Sequence, residues 1–401
     1  MRRMARLAGS PAAQRALRSA FARRLAPWLA AAQRVPEDPV TRYAAWAQLE
    51  REGPVPLAPV AATGDGRLDV AFVVPAFRRG SGGHVSIAGL LRGLERRGHA
   101  CSVWIDDPGG GSGGAAAFRA FFGPFAAEVH DGLAGWRGAG VVVATGWQTV
   151  ASVLRLSGCG ARVHLVQDDE AQFYPTSAER LWAERSHDFG LPCVTAGTWL
   201  AGRMAERGLP ATSFDFGIDH TVYRERPDIA RAPAQVLFYA RPSTPRRAVP
   251  LGMLALAELH RRRPEVEIAL YGDAALPAAP FPFTALGILT AEEAARAYAQ
   301  ATVGLVLSLT NYSLVAPEML ACGLPAVELR APSTELAFAD APIELAEPKP
   351  HALADALERL LDDPPERARR AQEGARWAAP RTWDAAAAAL ESGLRQAAPS
   401  R

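Results

Sequence analysis

The stretch VGLVLSLTNYSLVAPEMLACGLP, residues 303–325, predicts a strand, a loop and a short helix in direct succession. Residues 303–309 form an apolar run that is typical of a buried strand, and residues 310–313 are polar. The following helix is closed by Gly323 and Pro325. A strand–loop–helix junction directs free backbone N–H groups at whatever lies above the loop. This stretch therefore suits a diphosphate held by backbone amides.

Glu318 is the single acid of this predicted helix and lies one turn into it. A carboxylate there suits a sugar hydroxyl of a nucleotide, although an acid in a first helical turn also interacts favourably with the helix dipole. A glycine-rich junction, GSGGH, lies upstream at residues 80–84. Its glycines let a backbone approach an anion or a sugar closely, but a tight strand-to-helix turn needs them too. Asp106 ends the next predicted strand, so a nicotinamide-dinucleotide site stays open as an alternative.

Composition indicates a globular chain long enough for two ordinary domains. The 401 residues are 49% hydrophobic and 21% charged, and a net charge of +2 argues against a dedicated nucleic-acid binder. Lys349 is the only lysine, so arginine is common in this chain and a single arginine is weak support for a site. The four cysteines, at 101, 159, 193 and 322, lie far apart and have no zinc-binding spacing. We expect buried free thiols and no metal.

Residues 1–35 carry eight arginines and no acid. Apolar residues recur between the arginines of residues 16–31, which predicts a basic amphipathic helix on an anionic membrane surface. A solvated helix packed on the first domain, or a frayed end, explains the same pattern. No apolar run reaches the ~18–20 residues of a membrane span, and no signal peptide is visible. The expected location is cytoplasmic, and peripheral contact with the inner face of the membrane is a further hypothesis.

Short β runs alternate with helical segments from residue 68 onward, which predicts parallel sheets covered by helices on both faces. The predicted strands are 70–74, 102–105, 141–144, 163–166 and 194–196 in a first series, and 236–239, 266–271, 304–309 and 326–329 in a second. The predicted helices include 87–97, 251–262, 291–299 and 351–361. Ligands of such sheets bind at the carboxyl ends of strands, so the expected site is a cleft between two domains.

The segment YARPSTPRRAVPL, residues 239–251, places Arg241 directly after a predicted strand and Arg246 five residues later. Two guanidiniums above a strand end can hold a diphosphate bidentately and neutralise the charge that builds on a leaving group. One preorganised donor of this kind is worth about 3–4 kcal/mol of barrier. Surface arginines that merely reflect composition are the alternative explanation.

Polar and aromatic residues that follow two apolar runs form the opposite wall of the expected cleft. Aromatic rings there can stack on sugars, while amides and acids can bind hydroxyls. These residues are Trp147, Tyr174, Gln148, Gln167, Asp168, Asp169 and Glu170. Asp168 and His84 are the candidate general bases. No histidine or second acid pair lies at a metal-binding spacing from the acids, so no metal is expected there.

Several segments together resemble bacterial nucleotide-sugar glycosyltransferases of the GT-B fold, glycosyltransferase family 4. GSGGH with RGLERRGH is similar to the acceptor-side loop and helix of that family, and FGIDHTVYR to the end of its first domain. YARPSTPR resembles its phosphate clamp, FTALGILTAEEAARAYAQATVGLVLS its base-binding strand and helix, and EMLACGLP the helix with the second acid of its E-x7-E motif. With VVPAFRRGSGGH, ATGWQT and LVQDDEAQFYP, the resemblance is strongest to surface-glycan rhamnosyltransferases (WsaF-like), which use dTDP-L-rhamnose.

The resemblance implies an α/β fold of the GT-B class, with two facing Rossmann-like, doubly wound parallel-sheet domains. It also implies that the last helix of the chain packs back towards the N-terminal domain. The predicted parts are a basic helical extension (1–66), an acceptor-binding domain (67–218), a linker (219–234), a nucleotide-sugar-binding domain (235–378) and a C-terminal helix (379–401).

The resemblance also implies a retaining hexosyltransferase of polysaccharide biosynthesis, without metal or other cofactor. Its donor would be dTDP-L-rhamnose or another nucleotide-sugar, and its acceptor a glycan or lipid-linked glycan; an oligomer stays open. The catalytic assignments are Arg241, Arg246, Glu318, Asp168 and His84. The donor-binding assignments are Arg241, Arg246, Glu318, Gly82, Gly83, Gly287, Ile288, Leu289, Thr310, Asn311, Tyr312, Ser313, Leu314 and Val315. The acceptor-binding assignments are His84, Trp147, Gln148, Gln167 and Tyr174.

Two positions depart from the pattern of the family. Thr310 stands where the first acid of E-x7-E is expected, and Arg246 stands where lysine is usual. That acid usually contacts hydroxyls of the transferred sugar, so its loss argues against a glucose- or mannose-type donor and fits a 6-deoxy sugar. The arginine keeps the positive charge but changes its geometry.

Three other functions stay open. Sugar released or epimerised from a donor without acceptor would identify a GT-B-fold epimerase or hydrolase. Quenching of cofactor fluorescence would identify a nicotinamide-dependent oxidoreductase that uses residues 80–83 and Asp106. Retained transfer after deletion of residues 1–35 would argue against a non-catalytic assembly protein anchored by that segment.

Overall fold

The computed structural model describes residues 38–58 and 66–398. No helix in these two ranges is long and apolar enough to cross a membrane. The amphipathic helix expected within residues 1–35 lies outside the described residues, so its contact with a membrane stays a prediction.

The chain divides into two compact units, Met1–Arg51 and Glu52–Arg401. The described part of the first unit contains α1 (Pro39–Arg42) and most of α2 (Ala44–Glu52). The carboxylate of Asp38 caps α1, because its Oδ1 accepts a hydrogen bond from the Val40 N–H at 3.0 Å. The second unit contains both predicted sheet domains, which we call the N-terminal and C-terminal lobes.

Among the described residues, the N-terminal lobe is a seven-stranded parallel sheet flanked by helices. Its strands are β1 (Asp69–Pro75), β2 (Ala100–Asp106), β3 (Glu128–Asp131), β4 (Ala139–Ala144), β5 (Cys159–Val166), β6 (Cys193–Ala196) and β7 (Ala211–Phe214). Its helices are α3 (Gly82–Arg96), α4 (Gly114–Phe122), α5 (Trp147–Arg155), α6 (Ala178–Arg185) and α7 (Thr198–Glu206). The strand order is β3-β2-β1-β4-β5-β6-β7, so the chain winds outwards on both sides of β1. The central strands are buried because helices cover both faces.

The described part of the C-terminal lobe is a six-stranded parallel sheet in the order β10-β9-β8-β11-β12-β13. Its strands are β8 (Gln235–Tyr239), β9 (Glu267–Tyr271), β10 (Thr284–Gly287), β11 (Val303–Leu305), β12 (Ala326–Leu329) and β13 (Glu344–Ala346). Its helices are α8 (Val249–Arg262), α9 (Ala291–Gln300), α10 (Val315–Ala321), α11 (Pro332–Ala337), α12 (Pro350–Asp362) and α13 (Pro364–Ala378), followed by α14 (Trp383–Ala397). Two doubly wound parallel sheets confirm the predicted fold class.

The structure differs from the predicted strands in two respects. The strand predicted over 304–309 ends at Leu305, because the chain beyond it turns towards a side chain: the Ser308 N–H donates to the Glu328 carboxylate at 2.8 Å. The apolar pattern also did not identify β3, β7, β10 or β13. All four are edge strands, and β3 and β10 are largely exposed, so a buried-strand pattern is weak there.

The last helix, α14, packs on α3 of the N-terminal lobe, and two glycines allow its close approach. A Cβ added at Gly89 would lie 2.3 Å from the Trp383 ring, and one added at Gly93 would lie 2.3 Å from the Ala387 Cβ. Real Cβ atoms do not come so close, so only glycine fits the backbone positions of α3 here. The chain thus crosses from the C-terminal lobe back to the N-terminal lobe.

We expect Gly93→Ala to destabilise the protein and Gly202→Ala to stabilise it. The methyl group at Gly93 would overlap α14, which costs about 1–3 kcal/mol as overpacking. Gly202 is an exposed residue of α7, and an added Cβ there meets nothing within 4 Å. The higher helix propensity of alanine should therefore raise the free energy of unfolding by up to about 1 kcal/mol. Urea unfolding followed by circular dichroism measures both changes. Shifts of the same sign would contradict the close packing of α14 on α3.

Candidate active site

A cavity of about 350 Å³ lies at the carboxyl ends of both sheets, bounded by loops after β1, β4 and β5 on one side and after β8 on the other. Of the residues predicted from the sequence, the following line it: Gly82, Gly83, His84, Gln148, Gln167, Asp168, Arg241, Arg246, Tyr312, Ser313, Leu314 and Val315. The following do not line it: Glu318, Gly287, Ile288, Leu289, Thr310, Asn311, Trp147 and Tyr174. The cleft expected between the sheets is therefore present.

The two lobes are joined beside the cavity by an ion pair and a set of hydrogen bonds. Arg246 Nε lies 3.2 Å from Asp168 Oδ2. The backbone N–H of Asn311 donates to Asp168 Oδ1 at 2.9 Å, and its side-chain amide donates to the carbonyls of Gln167 (3.0 Å) and Ala196 (2.9 Å). Burial raises the pKa of Asp168, and the guanidinium of Arg246 opposes that shift. Asn311, predicted to bind the donor, instead connects the lobes.

Three neighbouring guanidiniums form the positive side of the cavity. Arg241 donates to the Gly80 carbonyl at 2.9 Å. Arg246 lies over the Phe173 ring, with its Cζ 3.9 Å from the ring centroid. Arg247, which was not predicted, lines the cavity beside them. Its position in the sequence, directly after Arg246, was the signal that could have identified it.

Glu328 supports the loop that carries the C-terminal wall, and sequence reasoning missed it. This carboxylate is fully buried and accepts hydrogen bonds from Ser308 N (2.8 Å), Ser308 Oγ (3.1 Å) and Leu329 N (2.9 Å). Burial raises the pKa of Glu328 to about 7. Arg247 donates to the same Ser308 hydroxyl at 2.8 Å. The loop after β11 is thus fixed by a polar network beneath it.

Cavity-lining polar atoms on the two walls differ in chemistry. Across residues 38–58 and 66–398, no hydrogen-bond partner is found for Gln148 Oε1, Gln167 Oε1 or Ser313 Oγ. Gln167 donates its Nε2 to the Gly83 carbonyl at 3.2 Å, and Gln148 donates its Nε2 to the Tyr174 hydroxyl at 3.4 Å, so both amide oxygens point elsewhere. All three atoms are shielded from solvent, although their residues line the cavity. The N-terminal wall therefore carries two amide side chains, and the C-terminal wall carries a hydroxyl side chain beside the arginines.

Glu170 is a further cavity-lining acid, in the short 3-10 turn Glu170–Phe173 that follows β5. The Trp147 N–H donates to its Oε2 at 2.7 Å. Burial raises the pKa of Glu170 to about 7, and Asp168 nearby adds to the shift. The sequence placed this acid on the wall, but its environment was not predictable from the run of three acids.

Three predicted acceptor-binding residues are engaged within the N-terminal lobe. Trp147 is only 2% exposed and its ring packs against Tyr174 and Trp182, so it offers no face to a sugar. Tyr174 uses its hydroxyl to accept from Trp147 Nε1 at 3.2 Å. His84 is 7% exposed, and its ring nitrogens pair with Ser81 Oγ (2.8 Å) and the Pro75 carbonyl (3.3 Å). Burial lowers the pKa of His84 to about 4. Because its imidazole is a weak base and both ring nitrogens are engaged, His84 is poorly suited to act as the general base.

Glu318 was predicted to face the cavity, but it does not line it. Its carboxylate is hydrogen-bonded to the Tyr223 hydroxyl, and burial raises the pKa of Glu318 to about 8. Thr310 is buried beside Asp168 rather than on the cavity wall. The 287–289 segment lies at the end of the edge strand β10, away from the cavity lining. Asp106, the acid of the nicotinamide alternative, is bonded to Ser152 and also lies outside the lining.

Comparison with known proteins finds a family match in the C-terminal lobe. Residues 234–358 match the family described as the C-terminal domain of WsaF. The C-terminal lobe is therefore similar to that domain. The chain is also 28% identical over 261 residues to the O-antigen biosynthesis protein RfbC of Myxococcus xanthus. That match covers 63% of this chain but only 20% of the relative, so the chain spans about a fifth of the length of that protein.

Solved structures match across both lobes. The HepE protein of Anabaena in complex with UDP-glucose has a TM-score of 0.62 at 15% identity, over 82% of this chain and 99% of that one. Sucrose-phosphate synthase of Thermosynechococcus elongatus has the same TM-score and identity, over 82% and 98% of the two chains. These likenesses confirm the GT-B fold around the WsaF-like lobe. Together with the match to the C-terminal domain of WsaF and the similarity to RfbC, they confirm the resemblance drawn from the sequence, whereas the rhamnose donor and the family 4 assignment stay predictions.

Glu170→Gln should flatten part of the pH dependence of stability. The pKa of Glu170 is raised from 4.5 to about 7 in the folded protein. Between these pH values Glu170 is protonated to a greater extent in the folded state than in the unfolded state, so the free energy of unfolding falls as pH rises through this window. Glutamine can still accept from the Trp147 N–H, so the variant should gain up to about 3 kcal/mol relative to wild type between pH 5 and pH 8. Chemical unfolding at several pH values measures this. Glu206→Gln, at an exposed position of α7, is the control. If the curve of stability against pH for Glu170→Gln runs parallel to the wild-type curve, the buried state of the acid is contradicted.

Proposed function

We propose that the chain is a glycosyltransferase of cell-surface glycan assembly, which transfers a sugar from a nucleotide-sugar to a hydroxyl group of a glycan acceptor. The observation that carries this proposal is the chemical division of one cavity. The guanidiniums of Arg241, Arg246 and Arg247 line its C-terminal side. The amide side chains of Gln148 and Gln167 line its N-terminal side, together with Arg78. The match of the C-terminal lobe to WsaF and the similarity to an O-antigen biosynthesis protein support the same activity.

The donor diphosphate binds between Arg241, Arg246 and Arg247. Guanidiniums form bidentate hydrogen bonds with phosphate oxygens, and three of them offset the two charges of a diphosphate together with the nearby carboxylate of Asp168. The unpartnered hydroxyl of Ser313 lies on the same wall and donates to a phosphate oxygen. As the bond to the sugar breaks, these fixed donors stabilise the charge on the leaving diphosphate.

The acceptor binds on the N-terminal wall, where its hydroxyls form hydrogen bonds with the amide side chains of Gln148 and Gln167. An acceptor held there has a hydroxyl near the bond that breaks, and this reduces the entropic part of the barrier. A cleft closed around both substrates excludes water and suppresses hydrolysis of the donor. No general base is assigned to His84, because both its ring nitrogens have partners.

For the sugar itself we propose L-rhamnose from dTDP-L-rhamnose, with retention of configuration. Thr310 replaces an acid that would recognise sugar hydroxyls, which fits a 6-deoxy sugar. In a retaining transfer, an oxygen of the leaving phosphate accepts the proton of the acceptor hydroxyl, so no separate base is needed. Three guanidiniums around the phosphate are consistent with a reaction that uses no metal.

We expect a donor panel to separate the nucleotides. At a hundredfold excess over Kd, a bound donor stabilises the protein by about 2.7 kcal/mol, and dTDP-L-rhamnose should raise the Tm more than UDP-glucose or a GDP-sugar. Arg241→Ala should remove this rise and lower the transfer rate about 10²- to 10³-fold. Within residues 38–58 and 66–398, Arg241 has no carboxylate partner, so its loss leaves no described carboxylate unpaired. A wild-type rate in Arg241→Ala would reject the clamp, and a larger shift with UDP-glucose would reject only the rhamnose donor.

Gln148→Leu and Ser313→Ala should affect different substrates. Each removes one hydrogen bond, worth about 0.5–1.5 kcal/mol, so the expected effect is roughly three- to tenfold. Gln148→Leu should raise the KM of the acceptor and leave donor affinity unchanged, whereas Ser313→Ala should do the reverse. Steady-state kinetics with each substrate varied in turn measures both. If both variants weaken the same substrate, the assignment of the two walls is wrong.

A further inference from the structure

Three potential metal ligands meet in the N-terminal lobe, away from the cavity. His164 of β5 and Cys193, the first residue of β6, are paired in register on adjacent parallel strands, so their side chains share one face of the sheet. His187 follows α6 and its ring stacks on His164, with the centroids 5.2 Å apart and the planes at 28°. One ligand atom from each of the three lies within 4.8 Å of the others.

The two imidazoles lack the partners that buried polar groups normally have. Over the described ranges 38–58 and 66–398, neither His164 Nδ1 nor His187 Nδ1 has a hydrogen-bond partner. His164 is only 2% exposed, and a buried nitrogen without a partner is destabilising. Two such nitrogens next to a buried thiol are therefore unexpected if these three side chains only pack against one another.

We propose that His164, His187 and Cys193 bind a divalent transition-metal ion of the zinc type. Imidazole nitrogen and thiolate sulfur are the ligands that Zn²⁺ prefers, at about 2.0 and 2.3 Å. Tetrahedral geometry at these bond lengths separates ligand atoms by about 3.3–3.6 Å, so the three side chains, whose ligand atoms lie within 4.8 Å of one another, can reach it by a small movement. Water occupies the fourth position and reaches it past His187, the most exposed of the three residues.

The charge state of the cluster suits a cation. Burial disfavours the protonated form of both rings, because it lowers the pKa of His187 to about 4 and that of His164 well below its usual value. Burial raises the pKa of Cys193 to about 12 without metal. On binding, the thiol proton leaves to solvent and the thiolate bonds to the ion. Asp169 and Asp188 lie near His187 and oppose the effect of Arg207 on its pKa, although the effect of Arg207 is larger than that of either carboxylate.

The ion would tie the segment between α6 and β6 to the sheet. His187 lies in that segment, whereas His164 and Cys193 belong to two sheet strands. His164 is also on the strand that leads directly into Gln167 and Asp168 on the cavity wall. The proposed role of the metal is therefore to hold the N-terminal lobe together beneath that wall, without any part in the transfer itself.

Cobalt titration of the chelator-treated full chain tests this site. We expect one equivalent of Co²⁺ to produce the d–d absorption of a tetrahedral site and the charge-transfer band of a cobalt thiolate, and Zn²⁺ to displace it. Cys193→Ala should abolish the charge-transfer band, and His187→Asn should weaken binding by at least about tenfold, since even loss of an outer partner costs 10- to 100-fold. Each variant is first checked for a cooperative thermal transition.

Cys159→Ala is the matched control, because Cys159 is a buried thiol on the same strand as His164 but is not part of the group formed by His164, His187 and Cys193. It should keep the full cobalt spectrum. If the folded wild-type chain gives no charge-transfer band, the site does not exist. An equal loss of the band in Cys159→Ala and Cys193→Ala would also overturn it. If Cys193→Ala does not fold, the wild-type spectrum and His187→Asn still decide.

Discussion

The ion pair between Asp168 and Arg246 is the contact on which the arrangement of the two lobes depends. Its partners come from different sheets and are largely shielded from solvent, with side chains 13% and 28% exposed. Removing one partner of a buried pair typically costs about 3–5 kcal/mol, because the other charge is left uncompensated. Asn311 adds three hydrogen bonds at the same place, and Arg241 adds one to the Gly80 carbonyl. The distance between the cavity walls follows from these contacts.

Under the proposed function, a donor diphosphate approaches a guanidinium that already has a carboxylate partner. Arginine presents several N–H donors in a rigid fork, so Arg246 can serve both anions only if they bind on different edges of that fork. Repulsion between Asp168 and the phosphates is then offset by Arg241 and Arg247. This requirement explains why three cations line one side of the cavity, and why the donor and the closed arrangement of the lobes are coupled.

The elements with strong local signals were predictable, and those that depend on tertiary contacts were not. The buried central strands, the α10 junction and the two arginines after β8 follow from apolar runs and from residue order. The four edge strands have weak apolar patterns, and Glu328 resembles any other strand acid until the loop above it is seen. Trp147 was predicted to stack on a sugar because it directly follows a predicted strand, but its ring is buried within the lobe. Glu318 was likewise predicted from its position in the sequence. Its hydrogen bond to Tyr223, which comes from the linker between the lobes, is a tertiary contact that the sequence does not show.

The return of α14 to the N-terminal lobe means that this lobe is not a continuous piece of chain, whereas the C-terminal lobe is. A recombinant exchange of C-terminal halves between two GT-B proteins, cut once at the linker, would pair the glycine-lined groove of α3 with a foreign terminal helix. In the reciprocal chimera, the bulky Trp383 would meet a surface that did not evolve to receive it. Successful chimeras of this architecture would need two junctions, one on each side of the C-terminal lobe, so that the native helix stays with the lobe on which it packs.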